Sequence, residues 1–568
     1  MYKPTSPQQR LFGIETRVSP SLRNRLESSW SQMFRDEVLP ILFRSEGEYA
    51  ALYGSTGRPN FSVARLLGLI LLQEWNDLSD QEALDTFSFD IRWRYALDVS
   101  DEEDYLSRRS LVEFRRRLAA SDPDMKLIRN LFDTVRDSAI KKLGLSASNQ
   151  RLDSTLIMSN IKVKGRLALF SDTLTLFLKS LDKDRLARVP EAIRTWYSSE
   201  PEGWFGLGPS EQKMRLEELA QYLNDLISLF PYCTDEPYLL LTRLFSEHCG
   251  IDGASGVHLK KRTEGPSLQS PYDPDASFGH KGAGYSVHIA ETCNNDGKSE
   301  IITDYEVHGA ARSDMGKAMD VIERLDSAGL KPETLFADGG YPSVPSATRI
   351  VEKGIEFMAP VNRSRMADDV TGRDIFVFDD EGRVVSCPMG HSPVDHRTLS
   401  RNNTTNRSLY AIFDGDVRRS CTMLDQCPVR TPNHRARGCG ARDTVGDFRL
   451  DISRELRLRD EMYAVQKTPE WKDRYSIRAG IEATNSELKR AHGMARIRLR
   501  RLVKVCFSVA CKVIACNIKR WAKARTSPER LLRYDLTAVL TYAGRSGEMI
   551  ISTACLSLSG RWSMGPEI

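Results

Sequence analysis

Histidine is scarce in this chain, nine among 568 residues. His280, His288 and His308 fall near one hairpin pattern, but no metal-ligand spacing links them, so core or surface roles are expected. Long apolar runs are also missing. The most apolar late stretch, Val503 to Trp521, is broken by Lys504, Lys512 and Lys519 and reads as a buried helix, not a membrane span. Met1 to Pro20 has no apolar centre, which argues against a secretory signal. Eleven cysteines in so long a chain do not form a secreted disulfide scaffold. A cytoplasmic protein is expected, with no membrane partner. Charge of one sign is missing as well: 81 basic residues face 77 acidic ones, for a net charge of +4. That balance neither establishes nor excludes nucleic-acid binding, because local clusters decide whether nucleic acid is a partner.

What remains is ordinary globular composition, 40% hydrophobic and 28% charged, in a chain long enough for roughly two to four domains. Residues 1–145 read as a helical N-terminal domain. Phe61 to Leu72 is apolar, and Ser79-Asp80-Gln81-Glu82 is a helix start. Arg115-Arg116-Arg117 makes this region either a DNA reader or a bundle with solvated arginines. Residues 146–159 hold a first strand around Leu152–Leu156, and 160–270 return to helical texture. Within 271–365, Tyr285, Val287 and Ile289 alternate with polar residues, Asn295-Asp296-Gly297 signals a hairpin, and Ile301–Val307 is the returning strand. Ser313 opens a helix ended by Gly329, followed by strands at Thr334–Ala337 and Ile355–Val361. This order describes a mixed sheet with packed helices. Residues 366–455 form a cysteine-containing insert, 456–525 are helical, and 526–568 are an uninformative tail.

Three carboxylates stand out. Asp338 ends a strand and precedes Gly339-Gly340-Tyr341, the place where mixed α/β sheets hold ligands. Taken alone, it reads as an ordinary strand-to-helix turn with Asp as a cap. Tyr475, Arg478, Glu482 and Lys489 are spaced by three, four and seven residues. At about 100° per residue they return to within roughly 60° of one another and line one helical stripe. A carboxylate flanked by phosphate-binding groups suits a metal ligand on DNA, although a solvated face with internal ion pairs has the same pattern. Asp153, in Leu152-Asp153-Ser154-Thr155, gains its weight from the other two.

Together these residues resemble the DDE transposases of bacterial insertion sequences. Tyr475, Arg478, Glu482 and Lys489 match the Y-(2)-R-(3)-E-(6)-K signature of the insertion-sequence-four and -five superfamily. Asp153 and Asp338 sit in segments similar to its two aspartate motifs, and Phe61–Val99 is similar to an N-terminal domain of one branch. The resemblance implies an α/β, RNase H-like catalytic core with a helical N-terminal domain and inserted subdomains. In that core the first Asp lies on the first strand, the second on the fourth, and the Glu on a later helix. It implies two Mg²⁺ (or Mn²⁺) ions held by Asp153, Asp338 and Glu482, and DNA strand cleavage followed by strand transfer. Tyr475, Arg478 and Lys489 would contact transposon-end DNA, helped by the basic run Arg490, Arg496, Arg498, Arg500, Arg501 and Lys504. The partners would be double-stranded DNA, as transposon ends and target, and a second copy of the chain in a homodimer pairing two ends. The protein would be nucleoid-associated when DNA-bound.

Cys387, Cys421, Cys427 and Cys439, with His391 as a substitute, could hold a structural Zn²⁺. The five residues between Cys421 and Cys427 depart from the compact spacing, and free thiols are the other reading. Cys506, Cys511 and Cys516 read as core. Two rival functions are a catalytically silent DNA-binding protein and a metal-dependent nuclease without strand transfer. The intact Asp, Asp and Glu argue against the first, and terminal inverted repeats beside the gene would argue against the second.

Overall fold

A computed structural model describes residues 1–5, 14–99, 106–161, 165–199, 207–253, 256–263, 266–362, 371–400, 407–423, 426–429 and 448–526. Its centre is a mixed sheet. Strand β1 (Asn149–Ile157) pairs antiparallel with β2 (Gly282–Thr292), which pairs antiparallel with β3 (Ile302–Gly309). On its other side β1 runs parallel to β4 (Thr334–Ala337), and β4 parallel to β5 (Glu356–Met358). The order is therefore β3-β2-β1-β4-β5, with Ser277–Gly279 as a short extension on β2. The mixed α/β class is as expected, and the arrangement is consistent with an RNase H-like core. β4 is the fourth of these five strands in chain order, and it delivers Asp338.

Alternation along the strands sorts the side chains between two faces. Leu152, Ala290, Leu335 and Ala337 lie on one face, under helices α1 (Lys317–Ser327) and α2 (Val344–Glu352). The helix begins at Lys317 and not at Ser313. Ser313 closes only a local turn onto the Met315 amide, and Gly316 adopts φ 85°, a left-handed conformation that suits glycine and interrupts the helical path. The opposite face carries Val287, Ile289 and Tyr305. It packs into one core with the N-terminal helices and the long helix α4 (Leu502–Thr526). Cys511 and Cys516 are fully buried there, and Cys506 lies at its edge.

The N-terminal helices form a bundle around Val63–Trp75 and Lys126–Leu143. Ser79 and Glu82 close a reciprocal capping box on helix Asp80–Phe89. The basic triplet is engaged within this bundle. Arg115 bonds Asp80 at 2.7 Å and Gln73 at 2.8 Å, Arg116 bonds Glu113, and Arg117 lies over the Tyr53 ring.

Between β1 and β2, helices Arg166–Ser180, Pro209–Leu229 and Glu236–His248 enclose a separate core of Phe170, Phe177, Leu223 and Leu241. After β5, strands Asp395–Ser400, Arg407–Phe413 and Phe448–Asp451 form a small antiparallel sheet. Cys387 and Cys427 pack against its core, and the Cys427 thiol is raised by burial first and then by its neighbours Cys421 and Cys387. The Cys387 sulfur accepts the His391 amide at 3.4 Å. Cys439 lies outside the described residues.

Candidate active site

The sheet register brings the two aspartates together. Leu152 on β1 is level with Ala337 on β4, so Asp153 and Asp338 are the next residues at the same end of two adjacent parallel strands. Asp153 points to the face opposite α1 and is largely buried. Asp338 stands just past its strand with a side chain 49% exposed.

Glu482 arrives from the other direction. The segment 469–491 is not one uniform α-helix as its spacing predicts. Pro469–Tyr475 is helical, Ser476–Ala479 tightens to a 3₁₀ turn, and helix α3 follows over Gly480–Ala491. The tightening occurs where the chain crosses Arg151. A Cβ on Gly480 would fall 1.9 Å from Arg151 Nη1, so a larger residue there would have to push the Arg151 guanidinium off its bonds to Glu291 and the Ile477 carbonyl. Tyr475 stacks on Trp471 at 4.5 Å, and its hydroxyl donates to the Ala337 carbonyl at 3.0 Å, pinning the segment to the end of β4. Burial raises the Tyr475 hydroxyl to about 12, so it remains a donor at neutral pH.

Arg478 joins all three carboxylates. Its Nη2 lies 3.0 Å from Asp153 Oδ1 and 3.9 Å from Asp338 Oδ2, and its Nη1 lies 3.2 Å from Glu482 Oε1. Burial would lower the Arg478 pKa, but Asp153 and the neighbouring anions raise it overall. Burial raises the Asp153 carboxyl above its ordinary range, with Asp338 adding to the rise and Arg478 opposing it. Lys489 faces the same place: burial and Lys281 lower its pKa, while Asp153 opposes that shift.

Two further residues lie beside these carboxylates, and no motif in the sequence singles them out. Asn485 Nδ2 donates to Asp153 Oδ2 at 3.2 Å, while its buried Oδ1 has no partner. Lys281 donates to the Ser154 carbonyl and hydroxyl, both at 3.2 Å. Asn485 is legible only as three residues past Glu482 on the same helix side. Lys281 lies on a loop whose approach depends on the β1–β2 pairing.

This donor set fits divalent magnesium or manganese. Three carboxylates converge on one cationic group, the Arg478 guanidinium, and Asn485 offers a spare buried oxygen beside Asp153. Hard oxygen ligands are what such ions require. Glu482, with 66% of its side chain exposed, and Asp338 have room to turn toward an ion.

Behind the site, fully buried Glu291 of β2 accepts from Arg151 at 2.7 Å, Thr484 at 2.6 Å and Arg520 at 3.0 Å. These bonds tie β1, β2, α3 and α4 together under the helix that carries Glu482. Glu487 points away from the carboxylates and bonds Arg520 at 3.0 Å.

The basic run continues from α3 along the end of β1. The Met158 amide donates to Ala495, and the Ile497 amide donates to Met158. Arg490, in the last turn of α3, and Arg496 and Arg498, which follow the helix, are exposed to solvent. Arg498, Arg500, Arg501 and Lys504 line an open groove of about 490 Å³ with Asn160 and Tyr272. Arg501 is also bonded to Glu236 of the helical insertion.

Residues 386–522 match a family model described as a transposase DDE domain, and residues 32–117 match one described as a transposase domain, DUF772. The first match contains Glu482 and its flanking residues, and the second covers most of the N-terminal bundle. Both support a DDE transposase. No curated protein matches the chain. No solved structure matches it either. Among the described residues no helix is long and apolar enough to cross a membrane.

Proposed function

We propose that this protein is a DNA transposase that cuts at the ends of a mobile element and joins them to target DNA, with Asp153, Asp338 and Glu482 as metal ligands. The observation that carries the reading is the convergence of these three carboxylates on Arg478, beside strand ends, within a chain matching two transposase domain models. Two bound Mg²⁺ or Mn²⁺ ions would activate the attacking oxygen and stabilise the leaving one during phosphodiester exchange. Asp153, Asp338 and Glu482, gathered on Arg478, would hold the ions through their carboxylate oxygens. Arg478, once its carboxylates turn to the ions, is free to hold a DNA phosphate through its fork of donors. Asn485 fixes the Asp153 rotamer, and Lys489 offers a second phosphate contact. DNA would follow the arginines from α3 into the basic groove. Pairing of two ends calls for a homodimer.

Labelled DNA carrying the element's own ends, incubated with Mg²⁺, should yield cleaved and joined products with wild type and neither with Asp338→Ala. Cleavage without joining would favour a nuclease. Binding without cleavage in wild type would favour a silent DNA-binding protein, and cleavage that survives the substitution would refute the site.

The groove makes its own prediction. Replacing Arg496 and Arg498 by alanine should flatten the plot of log affinity against log salt by about 0.9 for each DNA phosphate no longer neutralised. An unchanged slope in a DNA-binding titration would place these residues outside the interface.

A further inference from the structure

The face of the sheet opposite Asp153 holds a second cluster. Ser154 is level with His288, and Ser286 with His308, so β1–β2–β3 pairing puts Ser154, His288 and His308 side by side under the start of α1. Both imidazoles are buried, and their Nε2 atoms lie 2.5 Å apart. The Asp314 carboxylate, from the turn after β3, comes within 3.6 Å of His288 Nε2. These three ligand atoms lie within 4.8 Å of one another.

The far side of each ring is already engaged. His308 Nδ1 donates to the Gly309 carbonyl at 2.9 Å, and His288 Nδ1 meets the Tyr341 hydroxyl at 2.6 Å. Asp314 is held in turn by the Ser154 hydroxyl at 2.6 Å. With His308 protonated on Nδ1, its Nε2 is a bare lone pair. Without an ion, the His288 Nε2 proton bridges to His308 Nε2; once Tyr341 accepts from His288 Nδ1 instead, that proton leaves Nε2 and both lone pairs are open to an ion. Fixing the outer ring nitrogen on oxygen and leaving the inner one for an ion is how metal-ligating histidines are oriented. Burial and the adjacent His308 lower the pKa of His288, which keeps its ring neutral.

We infer that His288, His308 and Asp314 form a binding site for a divalent transition-metal ion, separate from the three-carboxylate site. Two imidazoles and one carboxylate suit a borderline ion of the zinc, cobalt or iron(II) class and not magnesium. Bonds of about 2.0–2.1 Å would require the two Nε2 atoms to separate by somewhat under an ångström. The ion would clamp β2, β3 and the Asp314 turn. Tyr341, three residues after Asp338, leans on His288, and the Tyr341 carbonyl accepts from the Gly316 amide at 3.1 Å. Occupancy would thereby brace the loop that presents Asp338. The role is positional, since both histidines lie on the sheet face opposite Asp153.

Cobalt(II) titration of chelator-stripped full-length protein tests this. Wild type should bind one equivalent with visible d–d absorption and no thiolate-to-cobalt charge transfer for that ion, which separates it from any cobalt on Cys387, Cys421 and Cys427. His308→Gln should lose this signal while keeping its far-ultraviolet dichroism. Should His308→Gln not fold, Asp314→Asn, of the same shape, should weaken cobalt binding by more than about tenfold. The inference is overturned if wild type shows only thiolate-bound cobalt, or if His308→Gln and Asp314→Asn bind as wild type does. Because the readout is metal binding without DNA, its outcome does not depend on the proposed transposase activity.

Discussion

Asp153→Asn should abolish Mg²⁺-dependent DNA cleavage without destabilising the metal-free protein. The loss should exceed the about 10–100-fold typical of removing a group that only supports a metal ligand. The stability half follows from burial. Asp153 is raised above its ordinary carboxyl range in the fold, so the folded state holds the proton more tightly than the unfolded chain. That contribution to stability is complete below the unfolded value of about 3.9 and is lost as pH rises through the higher folded value. At neutral pH the ionised side chain therefore costs stability, and the neutral amide removes the cost. Arg478 keeps Glu482 at 3.2 Å and Asp338 at 3.9 Å. Thermal melting in chelator should give a midpoint at or above that of wild type. Retained cleavage would remove Asp153 from the metal site, while a large drop in the midpoint would show that its pairing with Arg478 is structural. The same proton linkage predicts that Mg²⁺ affinity falls as pH is lowered through the raised Asp153 value.

Glu291→Ala should behave in the opposite way. Its carboxylate is fully buried between Arg151 and Arg520, and both guanidinium groups are themselves largely buried. Removing one partner of a buried ion pair leaves uncompensated charge and costs about 3–5 kcal/mol. Here two arginines lose their shared carboxylate, Arg520 keeping Glu487 at 3.0 Å, and Thr484 loses its acceptor. Urea denaturation should show the loss as a lower midpoint, and Glu291→Gln, which keeps an acceptor oxygen, should lose less. Because Thr484 lies two residues after Glu482, cleavage should also fall in any Glu291→Ala protein that remains folded. A midpoint equal to that of wild type would show that Glu291 does not hold α3 and α4 against the sheet.

Strands and carboxylates are legible in the sequence for different reasons. Alternation of Tyr285, Val287 and Ile289 with Ser286 and His288 marks β2 because one face is core and the other is lined by polar groups. Asp338 is visible because strand end, glycines and tyrosine occur together. The stripe from Tyr475 to Lys489 reads as continuous helix, and its side chains do gather at the strand ends. The 3₁₀ turn over Ser476–Ala479 escapes the pattern because it answers a tertiary contact, Gly480 against Arg151. Ser313 is too early a helix start because the interruption lies in the left-handed backbone of Gly316, which no spacing of apolar residues reveals. His288 and His308, twenty residues apart, show no ligand spacing along the chain. Antiparallel register makes them neighbours, and Asp314 joins them from a turn whose path the strand pattern does not specify.

If Asp153, Asp338 and Glu482 share one divalent-ion site, a single ion placed there lies close to three distant parts of the chain. Iron(II) loaded in place of magnesium, then treated with ascorbate and peroxide, cuts the polypeptide backbone close to the bound ion. Mapped fragments should end near all three residues, in segments 185 and 144 positions apart in the chain. Those cuts should fade with excess Mg²⁺ and be absent in Asp338→Ala. Any cuts near His288, His308 and Asp314 should persist in Mg²⁺, since that site does not favour it. Magnesium-sensitive cutting confined to one of the three segments, or unchanged in Asp338→Ala, would contradict a shared site.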